Sequence, residues 1–368
     1  MITSACEAGL SNDDVAAFYK AHWARPIALT RQDFCAWQFC AAPAADGKNH
    51  SVVALRGDEV LAIMGAVPAP FRLAEQTCAG AELTTWVVAP AARGQGVGKS
   101  ILAYLQDRYE VLAGAGITAA AQPLYLGAGF TFLAHIPRFF FVADFGKAEV
   151  FAAISDPARK LQAARQARAP QIRWTAERLA AADLAPAAAH DALSGFVRDR
   201  DRLAWRHDRH PAFTYEAFAV RDAAGTGPGA GVILREDLIA NTPILHVIDL
   251  FGAPDHLAAA LAFVAQEACR RGAAFVDISA TAGPLVAQLR ARGWSSAVDD
   301  TLIEMPSLFH PIELRRPPTT STVLWGRHAR EQLYDFSRLH ISRADMDLDR
   351  PTLHWYENSL VRKRELPV

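Results

Sequence analysis

Nothing in this 368-residue chain approaches ~18 consecutive apolar residues, the length a membrane-spanning helix needs. The opening MITSACEAGLSNDD also lacks the basic start and apolar stretch of a secretory leader. Cysteine is scarce: Cys6, Cys35, Cys40, Cys78 and Cys269 are odd in number and show no paired metal-type spacing. They argue against a disulfide framework, and free cysteines of this kind are expected in the core. A net charge of -1 offers no overall attraction to nucleic acid or to an acidic membrane, so neither is expected as a partner. A reduced, cytoplasmic setting is expected. What the chain has is apolar content: 51% hydrophobic residues fill cores, and the length suggests about two domains.

The chain is organised around Ala81 to Ser100, AELTTWVVAPAARGQGVGKS. Glu82 to Val88, rich in β-branched and aromatic residues, is predicted as a strand that Ala89-Pro90 ends. The turn Arg93-Gly94-Gln95-Gly96-Val97-Gly98-Lys99-Ser100 follows, and Ile101 to Leu112 is predicted as helix. Strand, glycine-rich turn and helix together hold a phosphate on backbone N–H groups and the positive end of the helix dipole. A nucleotide-triphosphate loop needs glycine where Arg93 stands. A dinucleotide fingerprint needs two residues between Gly96 and the next glycine, where only Val97 intervenes. The pattern Arg/Gln-x-x-Gly-x-Gly/Ala is met in full by Arg93, Gly96 and Gly98. In this the chain resembles the acyl-CoA pyrophosphate loop of the GNAT N-acetyltransferase superfamily.

The flanks agree with that resemblance. Ile117 to Ala121 reads as a short strand, and Tyr125-Leu126-Gly127-Ala128-Gly129-Phe130 after it is similar to the family's Tyr-x-x-x-Gly-Phe signature. Ala81-Glu82-Leu83 resembles the Ala-Glu-hydrophobic opening of the histone-acetyltransferase branch, whose glutamate is the general base. The resemblance implies acetyl-CoA as co-substrate, no metal, and direct transfer of the acetyl group to a small-molecule amine in a ternary complex. Under it, Glu82 takes the amine's proton and Tyr125 donates to the departing sulfur. The backbone of Val87 and Val88 holds the pantetheine arm, and the Val88 N–H meets the tetrahedral intermediate. Arg93, Gly94, Gln95, Gly96, Val97, Gly98, Lys99 and Ser100 are expected to contact the cofactor. Plainer readings stand beside these: Glu82 as a strand-edge carboxylate, Tyr125 as packing, Lys99 as a solvated lysine. The whole could also be a non-catalytic acyl-CoA sensor or scaffold.

In chain order, helices are predicted at Asp13–His22 and around Asp33–Trp37, and strands at Ser51–Leu55, Val60–Gly65, Pro68–Leu73 and Arg138–Asp144, the last closing the sheet. The chain then starts again. Asp201-x-x-x-Trp205-x-x-x-x-x-Pro211 repeats the spacing of Asp33, Trp37 and Pro43, and Ala253-Pro254 stands to Gly293-Trp294 as Ala89-Pro90 stands to Gly129-Phe130. The expected fold is α/β (α+β), with two tandem GNAT-like domains, each a mixed, largely antiparallel sheet flanked by helices. Boundaries are expected at 1–148, a linker at 149–185, a second domain at 186–314 and an extension at 315–368. The second copy has Asp255-His256 in place of the glycine loop, with Asp255 as a helix N-cap, and is expected to be degenerate.

Acceptor recognition has one visible candidate. Arg198 to Arg202 and Trp205 to His210 form a dense charged patch that could grip an anionic acceptor such as a nucleotide-linked amino sugar, or could be a solvated helix face. Asp249 and Asp277 sit in apolar strands and need partners or a place in the acceptor cleft. Asp345-Met346-Asp347-Leu348-Asp349 lacks the glycine and distal glutamate of a calcium loop.

Overall fold

Ser11 starts the first helix, α1 (Asn12–His22), by accepting the Asp14 N–H while the Asp14 carboxylate accepts the Ser11 N–H. In this computed structural model the described residues are 1–73, 75–169, 171–189, 193–300, 303–309, 312–314, 316–328 and 330–358. The first part of the chain adds β1 (Ile2–Ser4), α2 (Gln32–Phe39), β2 (Val52–Arg56), β3 (Glu59–Leu73), β4 (Gln76–Val88), α3 (Val97–Arg108), β5 (Val111–Ala115), α4 (Gln122–Gly127), β6 (Thr131–Leu133) and β7 (Arg138–Val142). Further on come β8 (Ala153–Ile154), β9 (Trp174–Leu179), β10 (Ser194–Phe196), β11 (Glu216–Asp222), β12 (Ala230–Ile239), β13 (Thr242–Gly252), β14 (Phe275–Ser279) and β15 (Ser295–Ser296). The C-terminal part contributes β16 (Ile303–Glu304), β17 (Leu308–Phe309), β18 (Ile312–Glu313), β19 (Thr322–Gly326) and β20 (Leu339–His340).

Two large sheets result. The first runs β1-β2-β3-β4-β5-β19-β6, with β10 on the far end of β3; the second runs β15-β7-β14-β13-β12-β11-β9. Their pairing patterns repeat. In the first, β4 and β5 are parallel, β5 pairs antiparallel with β19, and β19 with β6. In the second, β13 and β14 are parallel, β14 pairs antiparallel with β7, and β7 with β15. A register slip also recurs: it leaves Thr85 unpaired between β3 and β4, and Ile248 between β12 and β13. The cores follow the sheets. Ile101, Leu102 and Leu105 of α3 bury one helix face under the first sheet, each side chain contributing about 1.5–3 kcal/mol. Phe18, Phe34 and Phe39 of α1 and α2 cover its other face, and Leu257, Leu261 and Val264 of helix Pro254–Arg270 cover the second sheet.

Several sequence expectations are corrected here. The segment from Arg138 to Asp144, expected to close the first sheet, joins the second, where the hydrophobic run Phe139–Phe141 is sandwiched between β14 and β15. Its place in the first sheet is taken by β19, from the segment expected to lie outside both domains. The separate strands expected at Val60–Gly65 and Pro68–Leu73 are one strand, β3. Its prolines are tolerated because Pro70 turns its carbonyl to Val197 N–H (2.9 Å), on the edge away from β4, so no β4 bond is lost. The helix expected to reach Leu112 stops at Arg108, and the next strand is Val111–Ala115 rather than Ile117–Ala121. Asp255 is not an N-cap: Ala253 holds that position and Asp255 lies inside the first turn. Of the five cysteines, Cys35 alone is buried.

The spacing match between Trp37 and Trp205 has a structural counterpart. Their rings stack at 5.1 Å and 24°, and Trp205 Nε1 donates to the Trp37 carbonyl at 3.1 Å.

Candidate functional site

The parallel pairing of β4 with β5 covers Gly80–Leu83 against Val111–Gly114 and then stops. Beyond it β4 bulges at Thr85, whose φ is +20°, and the two strands splay into a slot. Tyr19 Oη donates to the Thr85 carbonyl at 3.1 Å and holds the bulge from the α1 side. Ala89 N–H bonds to the Leu61 carbonyl of β3 (2.8 Å), so strand alternation turns the main chain of Val87 to β3 and that of Val88 to the slot. Arg93 Nε donates to that outward Val88 carbonyl at 3.2 Å.

The glycine turn closes over the mouth of the slot. Gly94 and Gly96 have φ of +74° and +78°, and a Cβ at either would meet nothing within 4 Å, which leaves open space on the ligand side. Gly98 is required for a different reason: its Cβ would lie 2.7 Å from the Trp86 ring. No side chain caps α3, so its first-turn N–H groups point at the slot with the positive end of the dipole. Trp86 Nε1 is a buried donor with no partner among the described residues, at the place where a polar ligand would pass. Tyr125, on α4, packs its ring edgewise against Trp86 (5.4 Å) and Phe130 (5.0 Å). Burial pushes its phenol well above the ordinary value, so the hydroxyl stays protonated and can donate.

Slot and turn open into one cavity of about 900 Å³. Its inner wall comes from the second half and the C-terminal segment. Asp347 stands beside the bulge and accepts from Thr85 Oγ1 (3.1 Å), Gln38 Nε2 (2.8 Å) and Arg350 Nη1 (2.7 Å). Deeper, Asp349 accepts from Arg235 (2.8 Å) and Tyr215 (2.8 Å), and Arg235 also pairs with Asp237. His246 lies between Asp237 (3.2 Å) and Asp277 (2.6 Å), and Asp277 binds Arg138 and Arg343. Burial alone would raise the Asp277 carboxyl; the Arg343 and Arg138 guanidinium groups hold it well below the usual carboxylate range instead.

The structure distributes the sequence-predicted residues unevenly. Val88, Arg93, Gly94, Gly96, Val97, Gly98, Lys99 and Tyr125 line the cavity. Val87 does not; its side chain is core and its main chain faces β3. Gln95 is turned away and bonds to the Ala91 carbonyl (2.6 Å), and Ser100 Oγ bonds back to the Gly96 carbonyl (3.4 Å). Glu82 lies outside the cavity. The bulge comes after it, its side chain takes the opposite face from Leu83, and its carboxylate is buried against Arg202. The charged patch is neither a solvated face nor an anion grip on its inner side. Arg198 pairs with Asp249 and Asp345, and Arg206 donates to the Ala344 and Asp349 carbonyls, all of them buried. Asp249 is thereby an ion-pair centre, also touching His340 (3.1 Å). The three alternating aspartates of the tail are likewise engaged by arginines.

Sequence reasoning missed Thr85, Arg235, Asp237, His246, Arg343, Asp347 and Arg350. Only the alternating aspartates leave a signal, and in the sequence it reads as an incomplete metal loop. In the second half the counterpart of the slot is filled by the chain itself: Ala344 N–H bonds to the bulge carbonyl of Ile248 (3.0 Å), and Thr281 N–H to Ile341 (3.0 Å). The start of the helix there is covered by His256, whose ring bonds to Asp222 N–H (3.2 Å) and Thr226 O (2.8 Å).

A parallel strand pair splayed at a bulge, with an uncapped helix and glycine turn at its mouth, defines the GNAT fold. Residues 10–130 match the acetyltransferase (GNAT) family. A GCN5-related N-acetyltransferase from Anabaena variabilis is similar, with a TM-score of 0.53 at 12% identity, over 88% of this chain and 72% of that one. So is a probable N-acyltransferase from Enterococcus faecalis, with 0.52 at 13%, over 88% and 71%. A GCN5-related N-acetyltransferase from Kribbella flavida gives 0.50 at 19%, over 88% and 70%. At these identities the likeness is one of fold, and it spans both sheets. No curated protein matches the sequence. Among the described residues no helix is long and apolar enough to cross a membrane.

Proposed function

We propose that the protein is an N-acetyltransferase that moves an acetyl group from acetyl-CoA to the amine of a small molecule held in the same cavity. One observation carries this reading: a single cavity joins a pyrophosphate-type turn, an open strand slot and a wall of charged side chains. In this reading the first-turn amides of α3, with Arg93 and Lys99, meet the phosphates. The outward main chain of Val88 takes the pantetheine arm, and Tyr125 stands at the sulfur. The acceptor nitrogen bonds to the acyl carbon, the C–S bond breaks, the thiolate takes the Tyr125 proton, and the second proton that the nitrogen sheds on becoming an amide restores the tyrosyl hydroxyl. Asp347, beside the bulge, takes the ammonium proton in the role expected of Glu82 from sequence and returns it to solvent. The second half supplies the acceptor wall and binds no acyl-CoA of its own. On this basis the two halves are copies of one fold, with β7 lent to the second sheet and β19 to the first.

Calorimetric titration with acetyl-CoA, beside a Gly96→Glu variant, tests the reading. One site per chain, lost in the variant, is expected, because a carboxylate at that position repels the phosphates. Two sites per chain would overturn the division of roles between the halves; no binding by the folded protein would overturn acyl transfer itself.

A further inference from the structure

The acceptor wall has a composition that selects among amines, given the acyl-transfer reading on which this inference rests. We propose that the acceptor is a zwitterion, a small molecule carrying a carboxylate next to its ammonium group, as a free amino acid does. Arg138, Arg235, Arg343 and Arg350 stand on this wall with Asp237, Asp347 and Asp349, and Asp277 lies directly behind it. The formal charges cancel, so a ligand with net charge would be desolvated against a neutral surface without compensation. A neutral molecule with separated charges is compensated group by group.

The place for each charge is visible. Asp347 and Arg350 lie side by side at 2.7 Å, with 16% and 17% of their side chains exposed, the most open charged pair on the wall. Asp347 is the member joined to the bulge by Thr85, so an ammonium on it lies next to the acyl carbon. Arg350 spends Nη1 on Thr85 and Asp347, and its Nε and Nη2 have no partner among the described residues. Arg343 spends both terminal nitrogens, on His246 and Asp277, and leaves Nε. Arg235 Nε is a buried donor without a partner among the described residues, in a side chain only 9% exposed. These are donors in the planar arrangement that a carboxylate accepts. A dianion such as a phosphate would need positive charge in excess, which the four aspartates take up.

Thiol release from acetyl-CoA, measured with the common L-amino acids, their carboxamides and aminomethylphosphonate, tests this. At least one amino acid is expected to exceed its amide about 10–100-fold in kcat/KM, the worth of one or two charged hydrogen bonds. Arg343→Gln, and Arg350→Lys, which keeps the charge beside Asp347 and removes the planar fork, should raise KM for the acid about 10-fold and raise that for the amide far less. Amides turned over as well as acids, or variants that lower both alike, would overturn the proposal, as would preference for the phosphonate. If acetyl-CoA binds in calorimetry and no amino acid is acylated, the acceptor class is wrong and acyl transfer stands. Failure of acetyl-CoA to bind removes both.

Discussion

Thr85 Oγ1 donates to Asp347 Oδ2 at 3.1 Å, joining residues 262 positions apart. The first is the bulge that opens the slot, the second a residue of the C-terminal segment, outside the stretch that matches the family. In the proposed reaction the point of acyl transfer is therefore completed by the tail. Asp347→Asn keeps the shape and removes the charge, so kcat should fall about 100-fold, the usual worth of a positioned proton acceptor. Acetyl-CoA affinity by calorimetry should stay within about twofold. An unchanged kcat would make Asp347 a structural residue.

Glu82 is expected to matter for stability instead. Its carboxylate is buried against Arg202, whose next acidic neighbour, Asp345, is at 3.5 Å. Glu82→Gln strands most of a buried positive charge, and urea unfolding should show a loss of about 3–5 kcal/mol. Replacing both partners, Glu82→Leu with Arg202→Met, should recover most of it. A large drop in kcat with stability unchanged would restore Glu82 as the base.

The exchanged strands make the halves interdependent. Residues 1–148 alone lack β19, so β5 and β6 lose their common neighbour, and β7 leaves its apolar Phe139 and Phe140 without a sheet. That fragment should be insoluble or molten by near-ultraviolet circular dichroism, and should become ordered when coexpressed with 149–368. A cooperative unfolding transition from 1–148 alone would contradict this.

Stability should also fall in mild acid. Burial first, and then the Arg206 guanidinium, push the His207 imidazole from its ordinary 6.5 down to about 3. Between those values the unfolded chain holds a proton that the folded one does not. Stability therefore rises with pH across that window and is lost as pH falls through it. His207→Gln should flatten the dependence of the urea midpoint between about pH 6.5 and 4. The carboxylates of Asp249 and Asp277, held low by their arginines, act only below about pH 4 and separate from the effect of His207.

Legibility followed the range of the interaction. The turn at Gly94–Gly98 was readable because positive φ and close approach to Trp86 demand glycine at fixed positions in a short segment. Tyr125 and Gly129 were readable for the same reason: Gly129, with φ +83°, turns the chain just after α4, and Phe130 N–H bonds back to the Tyr125 carbonyl (3.1 Å). Glu82 is on the strand expected of it and on the other side. A one-residue bulge at Thr85 decides which neighbours face the slot, and no residue type announces it.

By itself the sequence determined most of the elements and the glycine turn with Tyr125 beside it, since periodicity, proline and glycine act over a few residues. Tertiary structure alone decided that β7 pairs in the second sheet and β19 in the first, because two short apolar strands can each be inserted between either pair of neighbours. It also decided that the arginines from Arg198 to Arg206 are buried and that Asp347 meets Thr85. A charged side chain reads the same in a sequence whether it faces water or a partner 262 residues away, and only the fold supplies the partner.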